Sequence, residues 1–449
     1  MGNHFDMDKH YVGSFEIEGR KFEGEIVHNI QTGVIRLAVT FQLNSFNEFS
    51  IKYSNNSNVI IGRLTSGTVV NLFNNKLIKN HTQNFQYQSL VYSVEFMILS
   101  NKELPTPKFE KMICEIENGL LWSCLSGIEI KELTSVCYKG YSPKTFYWFD
   151  AQITFSTTIN NGLLSLPRKE VCELEERLLV TIEANEKKDV SFFTDIRDKI
   201  LSMISFATKD NINIIHQKFL ECCDSSISTE KGICSEHLLI ENKPLCDIYN
   251  THFFEYNFNL NYLPDDDPEI SQKLVKLAPI FNLYLSLFKY PHMPNEMVFL
   301  NIVQALETFH ARFFYNDDKK KYIKSVKERF DEGSWQYNLL LSDTQVDPNC
   351  SFIILVSRLN DLIISGKNDI FVGLCRNDSE FAQRIADTRH YYTHYSESKK
   401  DKALKGDNLL ESTCILSIIL EYYVCDKLGI DISNHVTKDL QHFITNTRE

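Results

Sequence analysis

The spacing of apolar residues changes part-way along this chain of 449 residues. Up to about residue 185, apolar and β-branched residues tend to alternate with polar ones, as over residues 91–96, and glycine and asparagine interrupt the runs. Further on, apolar residues recur at helical spacing, as Phe192, Ile196 and Ile200 do. Because strands and helices need different periods, we predict an α+β fold with strands first and helices after them.

We predict three parts along the chain. Residues 1–185 form a β-rich N-terminal domain, because many short strands joined by glycine and asparagine turns are typical of a sandwich or a partly open barrel. Residues 186–290 form a mixed, partly helical middle region, in which residues 217–265 favour neither structure. Residues 291–449 show helical spacing throughout, which predicts an all-α bundle of four or more helices.

Individual helices can be placed from the apolar periodicity and from residues that start or stop a helix. We predict helices over residues 191–207, 352–364, 377–396 and 409–428, and Gly429 is expected to end the last of them. The sequence contains no internal repeat and no low-complexity tract.

Composition limits the class of protein. A net charge of −12 argues against a surface coated in positive charge for sequence-independent binding of nucleic acid, although a local basic cleft is compatible with it. The twelve cysteines are scattered, the N-terminus lacks the features of a signal peptide, and no apolar run approaches the roughly 20 residues of a membrane span. We therefore expect a cytoplasmic protein with reduced thiols and no contact with a membrane.

One group of metal-ligating residue types lies in the middle region. Its spacing does not form two close pairs, and adjacent cysteines rarely bind one ion together, so we expect no metal there while leaving the question open. Glycine-rich phosphate-binding loops are absent from the sequence, and we expect no cofactor. The group consists of Cys222, Cys223, Cys234, His237 and Cys246.

Residues 389–394 carry the side chains that metal-free cleavage of RNA needs. His394 can exchange a proton near neutral pH, and the planar fork of Arg389 can hold a phosphate. On an ideal helix the two side chains point about 140° apart. They can meet on one phosphate if the helix ends near His394, or if a second copy faces the first across a two-fold axis. A surface arginine and a helix-end histidine without function would have the same spacing.

Residues 385–394 resemble the R-(polar)-x3-H signature of HEPN domains, and in particular of the ApeA-like group found in bacterial anti-phage abortive-infection proteins. Residues 304–310 resemble the "ALE" first-helix pattern of that group, and residues 60–63 and 119–122 are similar to its β-rich N-terminal module. The resemblance covers most of the chain. It implies that residues 291–449 are a HEPN helical-bundle nuclease domain.

The resemblance also implies roles for individual residues. His394 would act as base or acid, and Arg389 would stabilise the charge that builds on the phosphate oxygens. His390, at the variable polar position, would be either a second proton carrier or a structural hydrogen-bonding group. Glu307 would orient Arg389, or else be a carboxylate at the edge of the core that pairs with an arginine. Asp387 would have a similar part or be solvated.

The chemistry that follows is endonucleolytic and needs no metal. The 2′-OH of RNA attacks the neighbouring phosphorus, and the products are a 2′,3′-cyclic phosphate and a 5′-OH, so DNA is left intact. Single-stranded loops suit such a site, tRNA is the target expected from the family, and a homodimer would bring two motifs together. Charge runs are usually solvated, but one group directly follows the motif and is expected to bind the RNA backbone: Lys399, Lys400, Lys402 and Lys405.

By resemblance, the N-terminal region would sense a component of an infecting phage, such as a phage protein, and would restrain or trigger the nuclease. It would otherwise be a scaffold for the bundle. Two other functions remain open from the sequence. The first is a non-catalytic HEPN module that binds nucleic acid or protein. The second is a ligand-binding β-module joined to a helical dimerisation domain.

Overall fold

A computed structural model of the chain describes residues 8–43, 53–83, 86–131, 135–138, 141–161, 174–222, 234–244, 257–265, 267–290, 292–341, 353–365, 371 and 380–433. The chain forms two compact units. The β unit consists of Met1–Arg197 and Ile212–Asp247, and the helical unit consists of Asp198–Asn211 and Ile248–Glu449. The division into three parts with boundaries at residues 185 and 290 differs from these two units and stays a prediction.

Six antiparallel strands of the β unit close into a barrel. They are β1 (Asp8–Ile17), β2 (Arg20–Asn29), β3 (Ile35–Gln42), β4 (Asn56–Leu64), β5 (Val69–Gln83) and β6 (Tyr87–Val94). Around the barrel they follow the order β1, β2, β3, β6, β5, β4 and return to β1. The predicted β-rich fold of the N-terminal region is confirmed, and its barrel is closed, where a sandwich or a partly open barrel was predicted.

The barrel closes where β1 pairs with β4. Gly13 of β1 lies opposite Leu64, and Phe15 lies opposite Gly62. A Cβ on Gly13 would come within 2.4 Å of the Arg63 carbonyl oxygen, and a Cβ on Gly62 would come within 2.4 Å of the Phe15 ring. Glycine is therefore needed on both strands for this close approach.

The interior of the barrel is filled by side chains that alternate along the strands, as a pleated sheet requires. In β3, for example, Ile35, Leu37 and Val39 are completely buried, and Arg36 between them is exposed. These side chains belong to one apolar cluster to which all six strands contribute. The period-two pattern thus determines which face of each strand is buried.

The sheet continues beyond the barrel from the first residues of β5. The next strands are β7 (Phe96–Ser100), β15 (Cys234–Glu241), β14 (Ile214–Cys222), β8 (Lys108–Ile116), β13 (Leu174–Asp189), β12 (Ala151–Asn161) and β11 (Lys144–Trp148), in that order. A short helix, α1 (Leu120–Ser123), and a two-stranded pair, β9 (Ile128–Lys131) with β10 (Ser135–Tyr138), complete the unit. The strands β14 and β15 lie in the stretch whose sequence favoured neither structure, and they pair with β8 and β7.

The helical unit contains the C-terminal half of α2 (Val190–Thr208) and seven further described helices. These are α3 (Ile270–Lys289), α4 (Asn295–His310), α5 (Lys319–Arg329), α6 (Trp335–Leu341), α7 (Leu355–Ser365), α8 (Phe381–His394) and α9 (Gly406–Lys427). A π-helical turn, Ala311–Tyr315, directly follows α4. The four helices predicted from the apolar periodicity are confirmed, with ends shifted by a few residues. Residues 352 and 377–379 of the predicted spans lie outside the described residues.

The core of the helical unit forms mainly between α3, α4 and α9. By length and composition α9 could cross a membrane, but 72% of its apolar window is buried inside the structure. It is thus placed as the central helix of a folded core. Buried apolar residues on the three helices include Leu277, Phe281, Phe299, Leu306, Leu416 and Leu420.

Candidate functional site

The arginine–histidine motif lies at the C-terminal end of α8. The helix ends at His394, and Tyr395 adopts a left-handed conformation with φ 49°, so that its N–H donates to the carbonyl of Tyr391. The helix therefore ends near His394, which is one of the two conditions under which Arg389 and His394 could meet on one phosphate. The helix is anchored by its N-terminal part, where the buried residues are Phe381, Ala382, Ile385, Asp387 and Thr388.

Arg389 faces Glu307 of α4. Its Nη2 atom lies 3.6 Å from the Glu307 Oε2 atom, at ion-pair distance but too far for a hydrogen bond. That carboxylate oxygen is shielded from solvent and accepts no hydrogen bond from the residues that the structure describes. The arginine is thus held by charge on one side, while a third of its side chain remains exposed. The structure brings together the two residues that the resemblance linked.

His390 and His394 lie side by side on one face of α8. Their ring centroids are 4.9 Å apart and their planes are tilted by 55°, as expected for side chains four residues apart on a helix. Both rings are exposed. Within the described part of the chain, no ion pair or hydrogen bond joins Arg389 to His394. The motif therefore presents two exposed imidazoles and a guanidinium that is held separately.

The lysines after the motif belong to a segment, residues 396–405, that we call the strap. It folds back along α8: the Leu404 N–H donates to Thr388 Oγ1 at 3.0 Å, and the Tyr392 hydroxyl donates to the Leu404 carbonyl at 3.0 Å. Lys399 Nζ adds a third anchor, 2.6 Å from Asp387 Oδ1. The strap is therefore fixed to the helix at both of its ends.

These contacts divide the four predicted RNA-binding lysines into two pairs. Lys399 is bound to Asp387, so that carboxylate is buried and paired rather than solvated. Lys400 lies 3.3 Å from Glu397. Lys402 and Lys405 are exposed and form no ion pair with any residue that the structure describes. These two are the lysines of the strap whose charge is available to a ligand.

A buried polar network begins about one turn of α4 beyond Glu307, and sequence reasoning did not find it. His310, three residues after Glu307 on α4, places Nε2 3.0 Å from Asp361 Oδ2, and both side chains are completely buried. Arg329 donates to the other oxygen of Asp361 at 2.8 Å and to the Tyr315 hydroxyl at 3.1 Å. The only sign of it in the sequence was a titratable residue inside each of two apolar helices, His310 in α4 and Asp361 in α7.

The charges of this network are set by burial and by pairing. Burial opposes ionisation of Asp361, but the hydrogen bond from His310 and the charge of Arg329 outweigh it and lower the pKa of Asp361. Burial lowers the pKa of His310, against a smaller opposite effect of Asp361. The carboxylate of Asp361 is therefore hydrogen-bonded to a neutral imidazole, that of His310. The network ties α4, α5 and α7 together, and the carboxylate and the imidazole at its centre are closed to solvent.

The group of cysteines and a histidine at which we expected no metal is only partly within the described residues, since Cys223 and Cys246 lie outside them. His237 is buried in the β unit, where Nδ1 lies 2.9 Å from Ser100 Oγ and Nε2 lies 3.4 Å from Glu221 Oε2. Burial lowers the pKa of His237, against the charge of Glu221. No cluster of three or more metal-ligating side chains occurs in the part of the chain that the structure describes.

Two family models match this chain. The Apea-like HEPN model matches residues 300–433, and the model of ApeA N-terminal domain 1 matches residues 11–273, which is more than half of the chain. A strand-rich N-terminal unit followed by a HEPN helical unit defines an anti-phage defence protein of the HEPN type. The chain belongs to the ApeA-like HEPN family, as its motifs predicted. Searches among curated proteins and among solved structures found no match.

Proposed function

We propose that this protein is an endoribonuclease that cleaves RNA without a metal ion as part of anti-phage defence. The observation that carries the proposal is the end of α8, where Arg389 is held by Glu307 and the imidazoles of His390 and His394 are exposed side by side. A fixed phosphate-binding group next to proton carriers is the minimum that RNA cleavage needs, because RNA supplies its own nucleophile.

The reaction is an internal transfer of the phosphoryl group. His394 takes the proton of the 2′-OH, the 2′ oxygen attacks the phosphorus, and the bond from phosphorus to the 5′ oxygen breaks. A protonated imidazole returns a proton to the departing 5′ oxygen, which leaves as a 5′-OH. His390 or the His394 of a second copy is the donor. Arg389 stabilises the negative charge that builds on the non-bridging oxygens.

A homodimer that places two α8 ends around one cleft suits this chemistry. The motif lies at an exposed helix end, and its arginine and histidine make no direct contact with each other within the described residues. A second copy would add a second guanidinium and a second pair of imidazoles. The substrate class is RNA with unpaired nucleotides, tRNA in particular, which the protein would meet in the cytoplasm. Lys402 and Lys405 would contact its backbone.

The test uses the full chain and total tRNA in excess EDTA, with the chemistry of the ends mapped by phosphatase and kinase treatment. We expect cleavage that leaves 2′,3′-cyclic phosphate and 5′-OH ends, and a matched DNA oligonucleotide should stay intact. Cleavage that requires added Mg²⁺, or that leaves a 5′-phosphate, would refute the mechanism.

We further propose that the β unit keeps the nuclease silent until it meets a component of a phage, such as a phage protein. A cell that carries a general ribonuclease needs such control. Loops at the ends of a barrel are a common place for recognition of another macromolecule. We expect cells that express the full chain to grow normally and to stop growing after infection by a phage that triggers it. Equal toxicity with and without phage would show that the β unit is no sensor.

A further inference from the structure

Tyr395, the residue directly after the motif histidine, has an unusual position. Its side chain is 69% exposed, and its backbone has φ 49° and ψ 39°. Glycine or asparagine normally occupies this left-handed position after a helix, because a Cβ is unfavourable there. An exposed tyrosine adds nothing to the core in return. The stability of the helix end alone therefore does not account for this residue.

Tyr395 has a second aromatic ring beside it. Tyr391, one helical turn earlier, packs edge-to-face against it with ring centroids 5.7 Å apart. Tyr391 lies on α8 one residue after His390, and Tyr395 directly follows His394. A pair of tyrosine rings thus lies alongside the pair of imidazoles.

Positive charge lies on the same side. The strap is hydrogen-bonded to Thr388 and Tyr392, which share a face of α8 with Tyr391. The strap also contains Lys400, Lys402 and Lys405, and the charges of the last two are unpaired within the described residues. Aromatic rings next to a basic segment are the combination that proteins use to bind single strands of nucleic acid.

We propose that Tyr395, supported by Tyr391, stacks on an unpaired base next to the phosphate on which Arg389 and His394 act. The site would thereby select single-stranded RNA. This inference rests on the proposed function and adds the residue that recognises the substrate. In a duplex both faces of a base are covered by its neighbours, so that only an unpaired base offers a face to the ring. Tyr395 is a binding residue in this scheme and exchanges no proton.

Binding can be measured apart from cleavage. The ligand is a fluorescein-labelled ten-nucleotide RNA with 2′-O-methyl groups throughout, which removes the nucleophile, and the comparison is the same strand in a duplex. We expect the full-length protein to bind the single strand more tightly than the duplex. Tyr395→Gly should bind the single strand about 5- to 150-fold more weakly, the range of one base–aromatic stack. Tyr395→Phe should bind like the unchanged protein, because it keeps the ring.

Two controls separate stacking from damage to the fold. Glycine suits the left-handed conformation, so the Tm of Tyr395→Gly should rise by about 2–4 °C. Tyr290→Gly removes a tyrosine that is 62% exposed and also directly follows a helix, α3, but has φ −129° and lies apart from the motif in sequence. RNA binding by Tyr290→Gly should be unchanged.

Unchanged binding by Tyr395→Gly would overturn the inference. An equal loss of binding in Tyr395→Gly and Tyr290→Gly would overturn it too. If Tyr395→Gly instead turns a dimer into a monomer in sedimentation, and binds single strand and duplex equally weakly, the ring serves contact between copies and the inference is wrong. Failure of the proposed function has another signature. The unchanged protein would then bind the methylated single strand through Tyr395 and leave ordinary RNA uncut.

Discussion

Replacing His394 with alanine will reduce the rate of RNA cleavage by about 10²- to 10⁴-fold, the contribution typical of a general acid or base. The side chain is exposed at the last position of α8, and the ring it contacts, that of His390, is exposed as well. The Tm of the variant should therefore equal that of the unchanged protein. Single-turnover cleavage of a labelled tRNA with enzyme in excess measures the chemical step directly.

Variants of the neighbouring residues give this prediction a graded control. Arg389→Lys keeps the positive charge but removes the planar fork, and it should lose most of the activity. Glu307→Gln keeps the shape of the side chain that faces Arg389 and removes its charge, so we expect a smaller loss. His390→Ala separates its two roles, because only a second proton carrier would slow cleavage as much as His394 does. Full activity in His394→Ala would show that α8 is not the catalytic element.

Replacing Asp361 with alanine will destabilise the helical unit by about 2–5 kcal/mol, because two donors of a buried network lose their acceptor. Asp361 is completely buried and binds His310 and Arg329. Without its carboxylate, the guanidinium of Arg329 loses its ion-pair partner there, and the imidazole of His310 loses the hydrogen bond at its Nε2 atom. Urea unfolding, followed by the loss of helical circular dichroism, measures the difference.

The matched control for Asp361 is Glu328→Ala on α5. Glu328 also faces a cation, Lys324 at 3.7 Å, but both side chains are mostly exposed. Ion pairs of that kind contribute at most about 0.5 kcal/mol because water screens them. Equal destabilisation by the two substitutions would mean that the network around Asp361 does not hold the helices together.

Local features of the fold were predictable, and features decided by distant pairing were not. The helices that contain Ile196 or Leu416 show their apolar spacing directly in the sequence. The closure of the barrel depends on Gly13 meeting Leu64, residues whose separation along the chain no local pattern records. The strands β14 and β15 form because they pair with the edges of β8 and β7. Their own sequences alternate only weakly and therefore did not predict strands.

The candidate site divides in the same way. The family motifs pointed to Arg389 and Glu307, and the structure brings their charged atoms to 3.6 Å. The pairing of Lys399 with Asp387 could not be foreseen, because it follows from the way the strap folds back on α8. A run of lysines in a sequence shows the charge that is present but does not show which charges already have partners.

The division of the strap lysines has a consequence for how RNA affinity varies with ionic strength. Binding to a single strand releases about 0.7 counterion for each phosphate that a protein cation neutralises. If Lys402, Lys405 and Arg389 are the cations that do so, affinity falls only about 20-fold between 50 and 200 mM salt. A site with three such cations, on a chain with a net charge of −12, has little hold on RNA in general. Most of the cell's RNA would then compete poorly for the protein, and shape and stacking would decide what it cuts.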